Sequence, residues 1–234
     1  MKLAVISDIH GNHYALEEVL KIAFKENVKK LLFLGDLVGY YYHSEKVIKL
    51  ISEWDCHLIK GNHEKILVDL ANGFIQEEDV KKKYGSGHQL ALEKLSKEEI
   101  AFITSAPDQL KVIVNETSFL LCHGAPFDNN YYLYPDTEKS VLVNCDRENI
   151  DFVLVGHSHY PFVYRNLHSM LLNVGSVGQS RIMGGVANWA IINTENKSFE
   201  MKATPYNTSA LEKEVDLIDP DNLYMKDILK RNRY

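Results

Sequence analysis

An α/β architecture of two packed sheets with helices outside is the fold class the sequence predicts, on three observations. Five short runs are apolar throughout, at Leu3 to Ile6, Leu31 to Leu34, Leu58-Ile59, Phe119 to Cys122 and Phe152 to Val155. Runs of this kind read as strands buried on both faces. The first half of the chain alternates such runs with segments of helical period, and the second half has shorter strands joined by tight turns.

The elements follow in order. Within residues 14 to 25, Leu16, Val19, Leu20 and Ala23 recur at helical spacing, with Glu17 and Glu18 on another face. A second helix carries Val47, Ile48 and Ile51, with Ser44 as its expected N-cap. This order implies a parallel sheet with right-handed crossovers. Residues 65 to 110 are helical in pattern, with Lys81-Lys82-Lys83, Gly85-Ser86-Gly87 and no obvious strand. They read as a helical insertion or cap, either a lid over the site or a solvated layer beside it. Val112 to Val114 and Ser118 to Leu121 flank Asn115-Glu116-Thr117, a hairpin signal, and Trp189 to Ile192 and Phe199 to Lys202 flank another. Residues 204 to 234 turn polar and end in an amphipathic helix, a tail packing on or beside the core. A chain of 234 residues can bury one large core, so residues 1–234 read as one domain.

Composition narrows the class. Apolar residues at 45% and charged residues at 25% are those of an ordinary globular protein. A formal charge of −6 without a basic stripe argues against stable nucleic-acid binding. Cys56, Cys122 and Cys145 show no C-x-x-C spacing, so neither a disulfide framework nor a zinc ribbon is indicated. No stretch reaches the ~18 apolar residues of a membrane span, and Ser7 and Asp8 interrupt the N-terminal apolar stretch, unlike a signal peptide. No membrane partner and a cytoplasmic location are expected.

The chemistry lies where the five apolar runs stop, at Asp8-Ile9-His10, Gly35-Asp36, Gly61-Asn62-His63-Glu64, His123-Gly124 and Gly156-His157-Ser158-His159. Ligands gather outside strand C-termini in open sheets, so one metal site built from the whole fold is expected. Carboxylate, imidazole and amide together suit Mn²⁺, Fe²⁺, Zn²⁺, Co²⁺ or Ni²⁺, and the donors are too many for one ion. Two ions roughly 3.5–4 Å apart are a standard device for displacement at phosphorus. In an extended segment residues i and i+2 point the same way, so Asp8 and His10 can chelate one ion together. His157 and His159 share that spacing, but a turn could send them to different ions. Adjacent Asn62 and His63 should diverge, one as ligand and one free for proton transfer. The flanking Gly11, Gly35, Gly61, Gly124 and Gly156 permit a left-handed backbone and close approach.

The ordered set D-x-H, G-D, G-N-H-E, H and G-H-x-H resembles the signature of the calcineurin-like metallophosphoesterase superfamily. SDIHGN (Ser7 to Asn12), LGDLVGY (Leu34 to Tyr40) and NVGSVGQSR (Asn173 to Arg181) look like its YfcE-like phosphodiesterase branch, over residues 1 to about 203. The resemblance implies a four-layer αββα sandwich of two mixed sheets, the metallo-dependent phosphatase fold. It implies two divalent ions, Mn²⁺ first, with Fe²⁺, Zn²⁺, Ni²⁺, Co²⁺ or Mg²⁺ as alternatives. Asp8, His10 and His159 would hold the first, Asn62, His123 and His157 the second, and Asp36 would bridge them. His63 matches the residue that contacts the substrate phosphate and assists the leaving group. The implied activity is phosphodiester hydrolysis by in-line attack of a bridging hydroxide. Its alternatives are a dinucleoside polyphosphate hydrolase, a phosphomonoesterase or protein phosphatase, and a non-catalytic interaction module. That module lacks the histidine after the Asn, which is present here. The implied partner is a small phosphoester or nucleotide, with a homo-oligomer left open.

One loop departs from the pattern. Gly39 is followed by Tyr40-Tyr41-Tyr42-His43, where related sequences often continue with Gly-Pro. These tyrosines, like Tyr131, Tyr132 and Tyr134, serve either packing or stacking on an aromatic substrate group. Arg181 could meet a phosphate or form a surface salt bridge. His13 reads as a pocket-edge or structural residue, and His43, His57, His88 and His168 as structural or exposed.

Overall fold

The computed structural model describes residues 1–232. The chain opens with β1 (Lys2–Ile6), α1 (His13–Lys25), β2 (Val28–Phe33), α2 (Ser44–Ser52) and β3 (Cys56–Leu58). Asn12 caps α1, its Oδ1 accepting from the Ala15 N–H at 3.1 Å. The expected cap of α2 shifts by one residue: His43 is the N-cap and Ser44 the first helical residue, buried with no capping bond. Four helices follow, α3 (Asn62–Ala71), α4 (Glu77–Tyr84), α5 (Gly87–Lys94) and α6 (Lys97–Thr104). The second half comprises β4 (Gln109–Val114), β5 (Thr117–Cys122), α7 (Lys139–Val143), β6 (Phe152–Val155), β7 (Phe162–Arg165), β8 (Met170–Asn173), β9 (Val186–Asn193) and β10 (Ser198–Pro205). The tail holds two helices, α8 (Ser209–Ile218) and α9 (Leu223–Lys230), the last of them burying one face.

Both sheets are mixed and five-stranded, in the orders β10-β9-β1-β2-β3 and β4-β5-β6-β8-β7. Within the first, β1, β2 and β3 run parallel, and β9 pairs antiparallel with β1. Both expected hairpins form, β4 with β5 and β9 with β10.

Strand alternation separates the layers. Leu3 and Val5 of β1 join Phe119, Leu121, Phe152 and Leu154 of the second sheet in the core between the sheets. Ala4 and Ile6 face the other way, packing with Leu16 and Val19 of α1 and Val47 and Ile51 of α2. The helical segment joins this layer through Leu67, Ala91 and Ile103. On the far side of the second sheet, Val153 and Val155 pack with Leu142 and Cys145. The result is the expected two-sheet sandwich with helices outside. The tail helices cover the tyrosine loop, with Leu211, Val215, Met225 and Ile228 packed on Tyr40, Tyr41 and Tyr42. Among the described residues, no helix is long and apolar enough to cross a membrane.

Candidate metal centre

The loops after β1 and β2 are zipped together at the ends of their strands. Asp8 donates its N–H to the Gly35 carbonyl at 3.1 Å, and His10 donates to the Asp36 carbonyl at 2.9 Å. Side chains extend the network: the His63 N–H reaches Asp36 Oδ1 at 2.8 Å and the His157 N–H reaches Asp8 Oδ2 at 3.0 Å. Glu64, buried on α3, accepts from the N–H groups of Asp36, Leu37 and Gly61 at 2.9, 2.7 and 2.7 Å, fixing the two loops to one another. A methyl group on Gly61 would collide with Asp36 Oδ1, and one on Gly156 with Ser7 and Asp8, so close approach explains both glycines.

The backbone differs from expectation at one point. Asp8 and His10 do not converge through an extended segment, because both are left-handed, with φ of 54° and 52°. Asp36, His157 and His159 share that conformation at 57°, 63° and 62°. The polar residues themselves make the turns that aim their side chains, whereas Gly61, Gly124 and Gly156 are not left-handed.

The candidate ligands meet in overlapping groups. Asp8, His10 and His159 form one, Asp36, His123 and His157 another, and His10, Asp36 and His63 a third, the donor atoms of each lying within 4.8 Å of one another. Asn62 joins the second, its Oδ1 being 3.0 Å from His123 Nε2. The shared spacing of His157 and His159 therefore does divide them between groups, and Asn62 and His63 do diverge.

Hydrogen bonds on the far side of each ring select the free nitrogen. His10, His123 and His159 place Nδ1 on the carbonyls of Val38, Leu34 and Gln179, at 3.1, 2.7 and 2.8 Å. In each neutral ring Nε2 then carries the lone pair. His157 is reversed: its Nε2 meets the Asn130 carbonyl at 3.2 Å, leaving Nδ1 free. The free atoms face one another. His10 Nε2 and His159 Nε2 are 3.1 Å apart, and Asp8 Oδ1 lies 3.2 Å from His159 Nε2. Asp8 Oδ1 is buried and makes no hydrogen bond. On the other side, His123 Nε2 stands 3.0 Å from His157 Nδ1 and 3.2 Å from Asp36 Oδ2. Converging buried acceptors of mixed nitrogen and oxygen type fit a divalent cation.

The charges show what that cluster does when it holds only protons. Burial opposes ionisation of Asp36, but the imidazoles around it, His123 foremost, outweigh burial and hold its carboxyl well below the usual range. Burial likewise opposes ionisation of Asp8, and His159 brings it down to about 2. Burial pushes His123 down, yet Asp36 reverses this and raises it to about 10. Burial brings His10 and His157 to about 4. A proton on His123 and a metal cation compete for one lone pair.

His63 sits in a cage of rings. Tyr40 stacks on it at 5.1 Å, His88 stacks at 4.9 Å and Tyr84 meets it edge-on at 4.8 Å. His63 Nδ1 lies 3.2 Å from His88 Nε2. His88, read from the sequence as structural or exposed, is fully buried and belongs to the centre's surroundings. No spacing pattern marks it. Glu64 lay inside a recognised cluster without a role, although a Glu three residues after a helix cap is a capping signal. The tyrosine clusters divide: Tyr40, Tyr41 and Tyr42 all pack under the tail, and Tyr40 alone among them also faces the centre. Tyr132 stacks on His157 at 3.8 Å, whereas Tyr131 lies against Phe127 and Tyr134 against Tyr160. His13 is buried beside Lys46, Tyr14 and His43, away from the centre. His43 pairs with Glu214, and His168 is exposed.

The chain compares with known proteins as follows. A family model described as the calcineurin-like phosphoesterase superfamily domain matches residues 1–197. Uncharacterized protein MJ0912 of Methanocaldococcus jannaschii is 31% identical over 225 residues, 88% of either chain. Hypothetical protein PH1004 of Pyrococcus horikoshii shares the fold with a TM-score of 0.84 at 19% identity, covering 99% of this chain and 98% of its own. A metallophosphoesterase from Sphaerobacter thermophilus does so at 0.77 and 20%, covering 98% of both. YfcE, a phosphoesterase from E. coli, follows at 0.51 and 19%, covering 88% and 100%. With a family model spanning every one of the five polar clusters, the chain belongs to the calcineurin-like phosphoesterase superfamily.

Proposed function

We propose that the protein is a phosphoesterase of phosphodiesterase type that works with two divalent cations. Asp8, His10 and His159 would hold one, Asn62, His123 and His157 the other, and the Asp36 carboxylate would be shared. The observation that carries this reading is the crowding of buried lone pairs: Asp8 Oδ1 lacks any donor, and His10 Nε2 faces His159 Nε2 at 3.1 Å. Bound cations supply Lewis acidity at phosphoryl oxygens and make water a nucleophile at neutral pH. Mn²⁺ suits this mixed donor set.

The remaining chemistry belongs to the chain. His88 Nδ1 is buried without a hydrogen-bond partner. It is less costly there as a lone pair than as an orphaned N–H, which places the His88 proton on Nε2, donated to His63 Nδ1. His63 then carries its own proton on Nε2, free for a substrate oxygen. Burial holds the His63 ring neutral, so as the ester bond breaks that N–H would stabilise the departing oxygen by a hydrogen bond. Asp36 Oδ1, accepting from the His63 backbone, ties this histidine to the shared carboxylate.

A second reading keeps the same centre and changes the substrate to a dinucleoside polyphosphate. It is favoured by the rings of Tyr40, Tyr84 and Tyr132 standing against the centre's imidazoles.

With added Mn²⁺ the protein is expected to hydrolyse bis(p-nitrophenyl) phosphate, and Asp36→Asn and His63→Ala to lose most of that turnover. Undiminished turnover in both variants would reject the mechanism. Turnover of the diester, of p-nitrophenyl phosphate and of diadenosine tetraphosphate, measured side by side, ranks the substrate classes.

A further inference from the structure

Beside His63 lies a groove of about 410 Å³ lined by Tyr40, Lys83, Tyr84, Arg181, Tyr224 and Arg231. Tyr40 and Tyr84, whose rings cage His63, form the wall it shares with the metal centre. Tyr40 is held there by a left-handed backbone, φ 53°, which is uncommon for a bulky residue and aims its ring at His10 and His63. Arg181, in the loop before β9, and Tyr224 and Arg231 of the tail complete the lining, with the Tyr224 ring 6.1 Å from that of Tyr40. Lys83 closes one side, its Nζ 4.8 Å from the centre of the Tyr84 ring.

The charge of this groove is out of keeping with the chain. Three cations converge in a protein of formal charge −6, and among the described residues none of the three forms an ion pair with a carboxylate. Arg181 Nε is buried with no hydrogen-bond partner. Arg231 donates to the Arg181 carbonyl at 3.1 Å, but guanidinium and ammonium groups without a carboxylate partner still suit phosphate oxygens. Three tyrosine rings beside them suit the face of an aromatic base. An inorganic anion would use the cations and leave the rings idle. The volume lies within the range of small-molecule sites.

We infer that this groove is a leaving-group subsite for a nucleotide, taking a phosphate on Lys83, Arg181 and Arg231 and a base on the tyrosines. The inference rests on the phosphoesterase reading and extends it, because Tyr40 and Tyr84, which line the groove, contact His63, the residue proposed to meet the departing oxygen. It assigns the substrate class as esters or anhydrides of phosphate whose leaving group is itself a nucleotide.

The test is calorimetric binding of AMP, adenosine and inorganic phosphate to the Mn²⁺-loaded full chain, with bis(p-nitrophenyl) phosphate turnover recorded alongside. AMP is expected to bind at least tenfold tighter than either adenosine or phosphate. In Arg181→Ala the ratio of AMP to phosphate affinity should fall at least tenfold, a ratio in which any general loss of folded protein cancels. Lys83→Ala, at an exposed position, should lower the same ratio severalfold and serves if Arg181→Ala does not fold. AMP binding no tighter than phosphate, or a ratio unmoved in both variants, would overturn the subsite. Selective AMP binding in a protein inert toward every phosphoester would leave the subsite standing and remove the hydrolase reading. Turnover without AMP selectivity would do the reverse.

Discussion

The two residue groups of the candidate metal centre, each proposed to hold one ion, are built from similar residues but held differently. In the Asp8, His10 and His159 half, both imidazoles offer Nε2 with Nδ1 on a backbone carbonyl, and exposure is 0%, 0% and 3%. In the Asn62, His123 and His157 half, one candidate ligand is a neutral amide and one ring is turned to offer Nδ1. There the partly exposed Tyr132 ring covers His157. The charge also divides unevenly, since His123, not its counterparts, pairs closely with Asp36 and takes up a proton. The difference teaches that the first group is the more fully enclosed, while in the second Asp36 favours a proton on the ring nitrogen that a cation would need.

Replacing the carboxylate common to both halves tests the comparison most severely. Asp36→Asn is expected to lower kcat/KM for bis(p-nitrophenyl) phosphate on the order of 10³-fold or more, as loss of a group stabilising transition-state charge does. Next come single-ligand variants: His10→Ala and His123→Ala should each halve the metal bound per chain, measured by elemental analysis after gel filtration. Because the ion left in His10→Ala lies in the group where a proton competes for His123, His10→Ala should give up its ion at lower chelator concentration than His123→Ala does; the opposite order would break the contrast. His88→Ala touches neither half and should lower kcat about 10–100-fold, the range for partners that orient an active group. Metal content and KM should stay near wild type, and the kcat–pH profile should shift, which a merely structural role would not produce.

The smallest effect is expected in protein stripped by chelator. His10 and His157 have folded-state values of about 4, below the ordinary 6.5. The unfolded chain therefore binds more protons between these values, and stability falls as pH drops from 6.5 to 4. His123 is opposite in sign: raised to about 10, it contributes stability that is full below 6.5 and lost as pH rises through 10. Thermal melts across pH should show both limbs in the wild type. The alkaline limb should flatten in His123→Ala but persist in His10→Ala.

Much of this centre was legible in the sequence because each ligand cluster ends an apolar run, and the ends of β1, β2, β5 and β6 meet at one edge of the sandwich. The five clusters, both hairpins and α1 follow from periodicity and punctuation alone. What could not be read depends on side-chain direction after packing. His88 reaches His63 only because α5 lies against α3, and no spacing encodes that contact. Tyr40, Tyr41 and Tyr42 are indistinguishable as letters, yet all three lie under the tail and Tyr40 alone among them also turns its ring to His10 and His63. The tail reads as polar because its two helices each offer one apolar stripe to the tyrosine loop. Gly39 could have been read further: a methyl group there would strike His63 and His88.

The left-handed backbone at Asp8, His10, Asp36, His157 and His159 carries a consequence for any attempt to make this protein hardier. Each such residue costs roughly 1–2 kcal/mol relative to an unstrained one, yet glycine there is no remedy. At Asp8 and Asp36 it would leave the buried N–H groups of His157 and His63 without their acceptors, a loss of similar size. Heat tolerance is to be sought outside these five turns.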